Sequence, residues 1–431
     1  MTSLTTPVAK IKPSATLAIN EGVKARWARG ETVFHLGFGE SRFPVHPILT
    51  KALAAAAGEK SYLPGQGLPA LRDAVAAYYS DHLALDVSPE QVLIGPGSKL
   101  LLYALQMTLG APLYLPAPSW VSYAPQAELL GLPIRHIPGR VEDDYALDFA
   151  ALDDALARDP APAKLLIVNT PGNPTGRMLP QVAVEQLAAL ARRHQLTVAS
   201  DEIYFRLAGA QHAHQSPATA YPEGTFVFGG LSKHLSLGGW RLGVMIAPKT
   251  TFGAECLNAM NVIASETWSC VSAPVQHAAV AAYQNSPELE SHINDCAKIH
   301  EWRTTWLYEQ LCELGIRSTQ PMGAFYLTVN FDSFREGLRS REVLTSTDLA
   351  NHLLAEHHIA TLPCADFGLP PETLSLRLAS SYLDMEDDEA AGRLLALFES
   401  GCDREEFLSP EHHPQMHACR AAFGHFVDSL A

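Results

Sequence analysis

The sequence predicts an α/β fold: a large domain with a mostly parallel sheet between helices, joined to a smaller α+β domain. Three observations carry this expectation. Apolar runs of strand length alternate with helical patterns from about residue 70 to 250. Several of those runs are apolar on both faces, as strands are when helices cover each side of a parallel sheet. Near residue 285 the texture changes to long helical stretches and strands of alternating polarity, the layout of a second and smaller unit. The expected division is therefore a segment 1–45 folding back onto the small domain, a large domain over 46–284, and a small C-terminal domain over 285–431.

The elements follow in order. "LRDAVAAYYSDHL" reads as a helix, "QVLIG" as a short strand, and "SKLLLYALQMTL" as a second helix with Ser98 at its start. "APLYLP", "LPIRHIP", "AKLLIVN", "LTVAS", "TFVFG" and "RLGVMIA" bring the buried strands to seven, with the helix "PQVAVEQLAALARRH" between two of them. Beyond 285, "SHINDCAKIHEWRTTWLYEQLCELG" is a long amphipathic helix, and "GAFYLTVNF" alternates like a half-buried antiparallel strand. "LANHLLAEHHIATLP" and "LSLRLASS" give another helix and strand, the latter with Leu374, Leu376 and Leu378 on one side and Ser375, Arg377 and Ala379 on the other. The stretch 401–415 reads as an insertion, a surface loop before a terminal helix. His412, His413 and His417 lie in and just after it at a spacing that matches no zinc pattern, so no metal is expected.

Composition narrows the function. The 431 residues carry 46 acidic against 31 basic side chains, a formal net charge of −15, and no basic run of the kind that tracks a phosphate backbone. Nucleic acid is thus not an expected partner. The seven cysteines all lie from Cys256 onward without a CxxC pair, which reads as free thiols in a reducing compartment. The start of the chain offers no apolar stretch of signal-peptide length and no segment approaches a membrane span, so the expected location is the cytoplasm, away from membranes.

Chemistry concentrates where strands end. "GGLSKHLSLGGWRLG" puts Lys233 and Arg241 between two apolar strands. "VNTPGNPTGR" interleaves Asn169, Asn173 and Thr175 with prolines and glycines, a rigid polar loop of the kind that binds ligands at the ends of open α/β sheets. "VASDEIYFRL" places Asp201 and Tyr204 after the next strand, and "PAPSWVSY" offers the flat face of Trp120. Gly97, Ser98 and Lys99 open a helix whose free N–H groups suit a phosphate. A lysine amine, an aspartate, a phosphate cradle and an aromatic plate are together what pyridoxal 5'-phosphate requires. No GxGxxG opening a helix and no GxxxxGK[ST] loop competes with that reading.

In combination these motifs resemble those of the fold-type I pyridoxal phosphate enzymes, the class I/II aminotransferases of the aspartate aminotransferase superfamily. "YLPGQGLPALR", "NPTG" at 173–176, "SDEIY" at 200–204, "SKHLSLGGWRLG" at 232–243 and "LRLASS" at 376–381 occur in family order, and the likeness runs from about residue 15 to 400. The resemblance implies that Lys233 holds the cofactor as a Schiff base and then shuttles a proton, and that Asp201 pairs with the pyridine nitrogen. It gives Tyr204 and Asn173 to the phenolic oxygen and Trp120 to ring stacking. The phosphate falls to Ser98, the adjacent amides of Gly97 and Lys99, Ser232 and Arg241. Tyr62 would reach the phosphate of the neighbouring subunit of a homodimer with shared active sites, Gly39 would contact substrate through its backbone, and Arg377 would grip the substrate α-carboxylate.

There are departures. Relatives often have Ser-x-Ser-Lys before the lysine, where this chain has Gly230; members usually read close to "GEPDF" where it has "GESRF". Arg42 is thereby expected near the mouth of the site, solvating the entrance in preference to meeting an acidic substrate group. The implied reaction moves the amino group of an L-amino acid to a 2-oxo acid. The alternatives are a C–S lyase or ACC-synthase-like eliminase on the same scaffold, or a binding or regulatory protein that kept the fold; intact Lys233, Asp201, Arg241 and Arg377 weigh against the last.

Overall fold

A computed structural model describes residue 11 and residues 13–430. Its largest feature is a seven-stranded sheet of β2 (Val92–Gly95), β3 (Leu113–Ala117), β4 (Ile134–Pro138), β5 (Leu165–Asn169), β6 (Thr197–Asp201), β7 (Thr225–Gly230) and β8 (Gly243–Ile246), in the spatial order β2-β8-β7-β6-β5-β3-β4. Only β8 runs antiparallel to its neighbours. β2, β5, β6, β7 and β8 are buried along nearly their whole length, which accounts for their continuous apolar sequences. β4 departs from the expectation of a buried strand: at the sheet edge it pairs on one side alone, and Arg135 and His136 are exposed.

Helices cover both faces. Leu101, Leu102 and Leu105 of the helix Ser98–Leu109 pack with Leu257 and Met260 of Thr251–Thr267 on one face, and Leu187 and Ala191 of Gln181–His194 pack with Leu152 and Leu156 of Phe149–Arg158 on the other. The chain leaves β3 outward to β4 and returns inward through β5, so the C-terminal ends of β3, β5, β6 and β7 face a common crevice, the usual ligand position in such sheets.

The smaller unit is a four-stranded antiparallel sheet, β12-β13-β10-β9, made of β9 (Arg317–Ser318), β10 (Tyr326–Asn330), β12 (Leu362–Pro363) and β13 (Ser375–Ala379). Arg377 pairs with Thr328 on one side and Leu362 on the other. β10 is not half-buried as its alternation suggests; neighbours on both sides and the long helix Pro287–Glu313 bury it throughout. The start of the chain joins this unit through β1 (Phe34–His35), which pairs in parallel with β11 (Ile359–Ala360).

The stretch 401–415 is largely exposed, as expected of a surface segment before a terminal helix, but buried Phe407, Leu408 and His413 anchor it. His413 is buried, its Nδ1 hydrogen-bonded to the Phe407 carbonyl at 2.8 Å, and His417 Nε2 meets the Leu408 carbonyl at 2.8 Å. Asp384 accepts hydrogen bonds from the N–H groups of Gln415 and Met416, capping the last helix, Pro414–Ser429. Met416, Cys419, Phe423 and Phe426 of that helix enter one apolar cluster with Leu374, Leu376 and Leu378 of the β13 segment and with Phe34 and Leu36.

Candidate active site

The four strand ends open into a cavity of about 460 Å³. β7 delivers Lys233, whose Nζ donates to the Gly39 carbonyl at 2.7 Å and lies 5.4 Å from the centre of the Tyr204 ring. Burial is the main reason its pKa falls to about 8; Glu40 opposes that shift, Arg377 adds to it, and Asp201 and Arg241 contribute less, in opposite senses.

Asp201 ends β6, fully buried, with Tyr123 Oη donating to Oδ2 at 2.6 Å and the Ile203 N–H to Oδ1 at 3.3 Å. Burial raises its pKa to about 6 despite the Tyr123 and Ile203 hydrogen bonds. The Tyr204 hydroxyl shares a 2.8 Å hydrogen bond with that of Tyr326, which also donates to Gly39 O at 3.4 Å. A Cβ at Gly39 would lie 2.0 Å from the Tyr326 hydroxyl oxygen, so the close approach requires glycine. In the loop after β5, Asn169 ties two site residues together: its Oδ1 accepts from the Asn173 N–H and its Nδ2 donates to the Asp201 carbonyl, both at 2.7 Å. Asn173 Oδ1 is buried without a hydrogen-bond partner among the described residues.

At the other end of the cavity Gly97 (φ 87°) precedes the helix Ser98–Leu109, whose first N–H groups receive no side-chain cap. Arg241 crosses this turn, donating to Gly238 O at 3.0 Å and Pro96 O at 3.3 Å, and a Cβ at Gly97 would come within 2.4 Å of its Nη2. Ser232 lines the same wall. Lys99 Nζ sits 5.0 Å from the centre of the Trp120 ring, and burial, with help from Arg241, lowers its pKa.

From the small unit, Arg377 reaches in through β13. It is fully buried between the rings of Tyr326 and Phe367, 5.1 and 5.5 Å from their centres. One Nη donates to the Gly37 carbonyl, while Nε and the other Nη have no partner among the described residues. Helix Ala15–Trp27 contributes Thr16 and Leu17 to the cavity wall.

The structure thus brings together the residues the sequence singled out for this site, with three exceptions. Thr175 lines a neighbouring cavity instead. Tyr62 is 88% exposed and outside the cavity. Arg42 does not solvate the entrance: it pairs with Glu40 at 3.1 Å, donates to the carbonyls of Glu386 (2.8 Å) and Met385 (3.4 Å), and lies over the Tyr382 ring. The cavity residues that went unread include Tyr123, Tyr326 and Glu40. Tyr123 stands in the quoted "PSWVSY" and Glu40 in "GESRF", but nothing local marks their orientation. Tyr326 reads in the sequence as one more aromatic residue of an alternating strand.

Comparison with known proteins converges on one group. The family profile described as "Aminotransferase class I and II" matches residues 31–394. An aspartate aminotransferase of Geobacillus stearothermophilus is 32% identical over 388 residues, covering 88% of this chain and 95% of that enzyme. A bifunctional aspartate aminotransferase and glutamate/aspartate-prephenate aminotransferase of Petunia hybrida is 32% identical, over 85% of this chain and 77% of its own length. Among solved structures, the Thermus thermophilus aspartate aminotransferase with maleate superposes with a TM-score of 0.80 at 28% identity, covering 93% of this chain and all of that one. These relatives are transaminases and do not favour an eliminase. The chain belongs to the class I and II aminotransferases, and it is a pyridoxal-phosphate-dependent enzyme that transfers amino groups between amino acids and 2-oxo acids.

Proposed function

We propose that this enzyme takes the amino group from an acidic L-amino acid, aspartate foremost, with Lys233 as its reacting amine and Arg377 as its α-carboxylate clamp. The observation that carries the reading is the single cavity that gathers them: its wall holds four cations, Lys99, Lys233, Arg241 and Arg377, against two carboxylates, Glu40 and Asp201. That imbalance suits a phosphate plus a dicarboxylic substrate. The names of the relatives support the same donor.

The residues fit pyridoxal phosphate. Gly97, Ser98, Lys99, Ser232 and Arg241 would hold its phosphate, Trp120 would stack on the ring, Tyr204 and Asn173 would meet its phenolic oxygen, and buried Asp201 would sit at its pyridine nitrogen. When bound, the cofactor supplies an electron sink for the carbanion formed at the substrate Cα. Lys233 would hold the cofactor and, as a free amine, carry the Cα proton; a pKa near 8 leaves a usable fraction of free base at neutral pH. Arg377, with Nε and one Nη unpartnered, would receive the α-carboxylate through its remaining N–H groups beside Gly39. Lys99, with no carboxylate within ion-pair distance among the described residues, is free for the distal carboxylate or the phosphate.

We further place the enzyme in the cytoplasm as a homodimer with shared sites. The exposed Tyr62 ring supports a role across the interface, and among the described residues no helix is long and apolar enough to cross a membrane. We take 46–284 and 285–431, the latter joined by 1–45, as the two domains; the cluster uniting Phe34 and Leu36 with residues 307–430 supports the division. The test is to mix the purified holoenzyme with single amino acids and follow the visible absorbance of the bound cofactor. Aspartate or glutamate should convert it with formation of the matching 2-oxo acid; conversion by neutral amino acids alone would refute the acidic donor. Borohydride reduction and peptide mapping should mark Lys233, and a mark elsewhere would overturn its assignment.

A further inference from the structure

Segment 39–42 is fastened on three sides, and the fastening runs through two side chains at positions where the family usually reads Pro-Asp. Gly39 gives its carbonyl to Lys233 Nζ at 2.7 Å. Ser41 Oγ, buried, shares a 2.7 Å hydrogen bond with Ser236 Oγ and a 3.1 Å one with His300 Nε2. Ser236 belongs to the loop that carries Lys233, and its own N–H donates to the Lys233 carbonyl at 3.4 Å. His300 belongs to the long helix Pro287–Glu313 and is wedged between Phe43 and Phe325, with ring centres at 5.2 and 4.8 Å. Arg42 anchors the far end of the segment on the carbonyls of Met385 and Glu386.

We propose that Ser41 is a positioning residue for Lys233: bonded at once to the lysine's own loop and to the long helix, it fixes the distance between the Gly39 carbonyl and the reacting amine. A proline at this position has no hydroxyl and makes neither bond, so the device belongs to this chain's own sequence. The inference rests on Lys233 being the reacting amine. Burial, Arg377 on β13 and Arg241 after β7 disfavour the protonated form of that amine, while Glu40 on the same segment and Asp201 at the end of β6 favour it. A carbonyl acceptor at 2.7 Å holds an ammonium better than a neutral amine, so releasing the segment that carries Gly39 leaves more of the amine free at a given pH.

The test uses the full chain freed of cofactor and an amine-reactive reagent, trinitrobenzenesulfonate, with the Lys233 peptide quantified from pH 6 to 10. Ser41→Ala and Ser236→Ala should each speed labelling of Lys233 about threefold at pH 7, a shift of roughly half a pH unit in the profile. The double variant should do no more than Ser41→Ala alone, because the bond that Ser236→Ala deletes is then already gone. Other lysines, such as Lys249, should label unchanged. In the holoenzyme the variants should lower kcat with KM nearly constant. If the Lys233 profiles of both variants coincide with the parent, whatever their melting temperatures, Ser41 is merely structural and the proposal is overturned; additive effects in the double variant overturn it as well. Borohydride mapping of the parent separates the two readings. A mark away from Lys233 removes the amine itself, whereas a mark on Lys233 with unaltered variant profiles removes only the role of Ser41.

Discussion

Replacing Arg377 tests how this site recognises an amino acid. The side chain is fully buried, one nitrogen is held by the Gly37 carbonyl, and Nε and the remaining Nη have no partner among the described residues. Two charge-assisted hydrogen bonds to a carboxylate in so dry a place contribute about 3–5 kcal/mol together. Arg377→Ala should therefore lower kcat/KM for an amino acid by roughly 100-fold to 5,000-fold. Arg377→Lys keeps the charge but not the planar fork, and should recover only part of that loss. Cofactor affinity should hardly change, since the phosphate end of the cavity is built from other elements. The decisive assay compares each variant on an amino acid and on the corresponding amine without the α-carboxylate, alongside thermal unfolding. The amino acid should suffer and the amine should not. Burial already depresses the pKa of this guanidinium, which has no carboxylate in ion-pair contact among the described residues, so removing it relieves a desolvation cost and the unfolding midpoint should not fall in step with activity. An equal loss on both substrates would refute the reasoning and make Arg377 a packing residue.

Other perturbations follow from the same geometry. Lys233→Ala should abolish the visible absorbance of covalently held cofactor and slow turnover by several decades with the circular dichroism unchanged; turnover within tenfold of the parent would argue against it. Asp201→Asn should cut the half-reaction rate far more than substrate affinity, and a rate within about twofold of the parent would exclude the role given to this carboxylate. In the cofactor-free chain Asp201 is raised from 3.8 to about 6, so the native state binds the extra proton and stability falls as pH rises from about 4 to 6, by up to roughly 3 kcal/mol. Asp201→Asn should lose that dependence, which urea unfolding at pH 4 and pH 7 would reveal. Gly230→Ser should not restore a phosphate donor: a Cβ there meets Leu242 O at 2.7 Å and Gly243 Cα at 3.1 Å, with φ at 154°, so the expected result is a loss of about 1–3 kcal/mol in unfolding free energy and no gain in cofactor affinity. Mixed dimers carrying Tyr62→Phe on one subunit and Lys233→Ala on the other should keep parental cofactor binding at the intact lysine if the tyrosine acts across the interface, and weaken it only if the tyrosine serves its own subunit.

Much of this site was legible because it hangs on local pattern. Asp201, Asn173 and Lys233 each end or follow an apolar run, and parallel strands deliver such ends to one edge whatever the rest of the chain does. Arg377 was legible for a related reason, since alternation in "LSLRLASS" set it opposite the leucines that join the small-unit core. What escaped depends on partners remote in sequence. Arg42 looked like a mouth residue until its acceptors proved to be Met385 and Glu386. Tyr326 matters because its hydroxyl meets Tyr204 across 122 positions. Three histidines in a polar tail read as surface until the Phe407 carbonyl fixed His413 inside. β4 betrays its exposure only once its place at the edge is known.

The apolar cluster that unites Phe34 and Leu36 with Phe423, Phe426 and Leu430 has a consequence for biosynthesis. All strands of the large sheet lie between residues 92 and 246, and they leave the ribosome well before the last helix. The smaller unit cannot close its core until residues 34–36 and 423–430 are both present, so it matures after the sheet. Lys233 and Asp201 belong to the part made early, Arg377 to the part completed late. A nascent chain therefore holds Lys233 and Asp201 in its sheet before it has Arg377 in place, and on the roles proposed above it could take up cofactor before it can select a substrate.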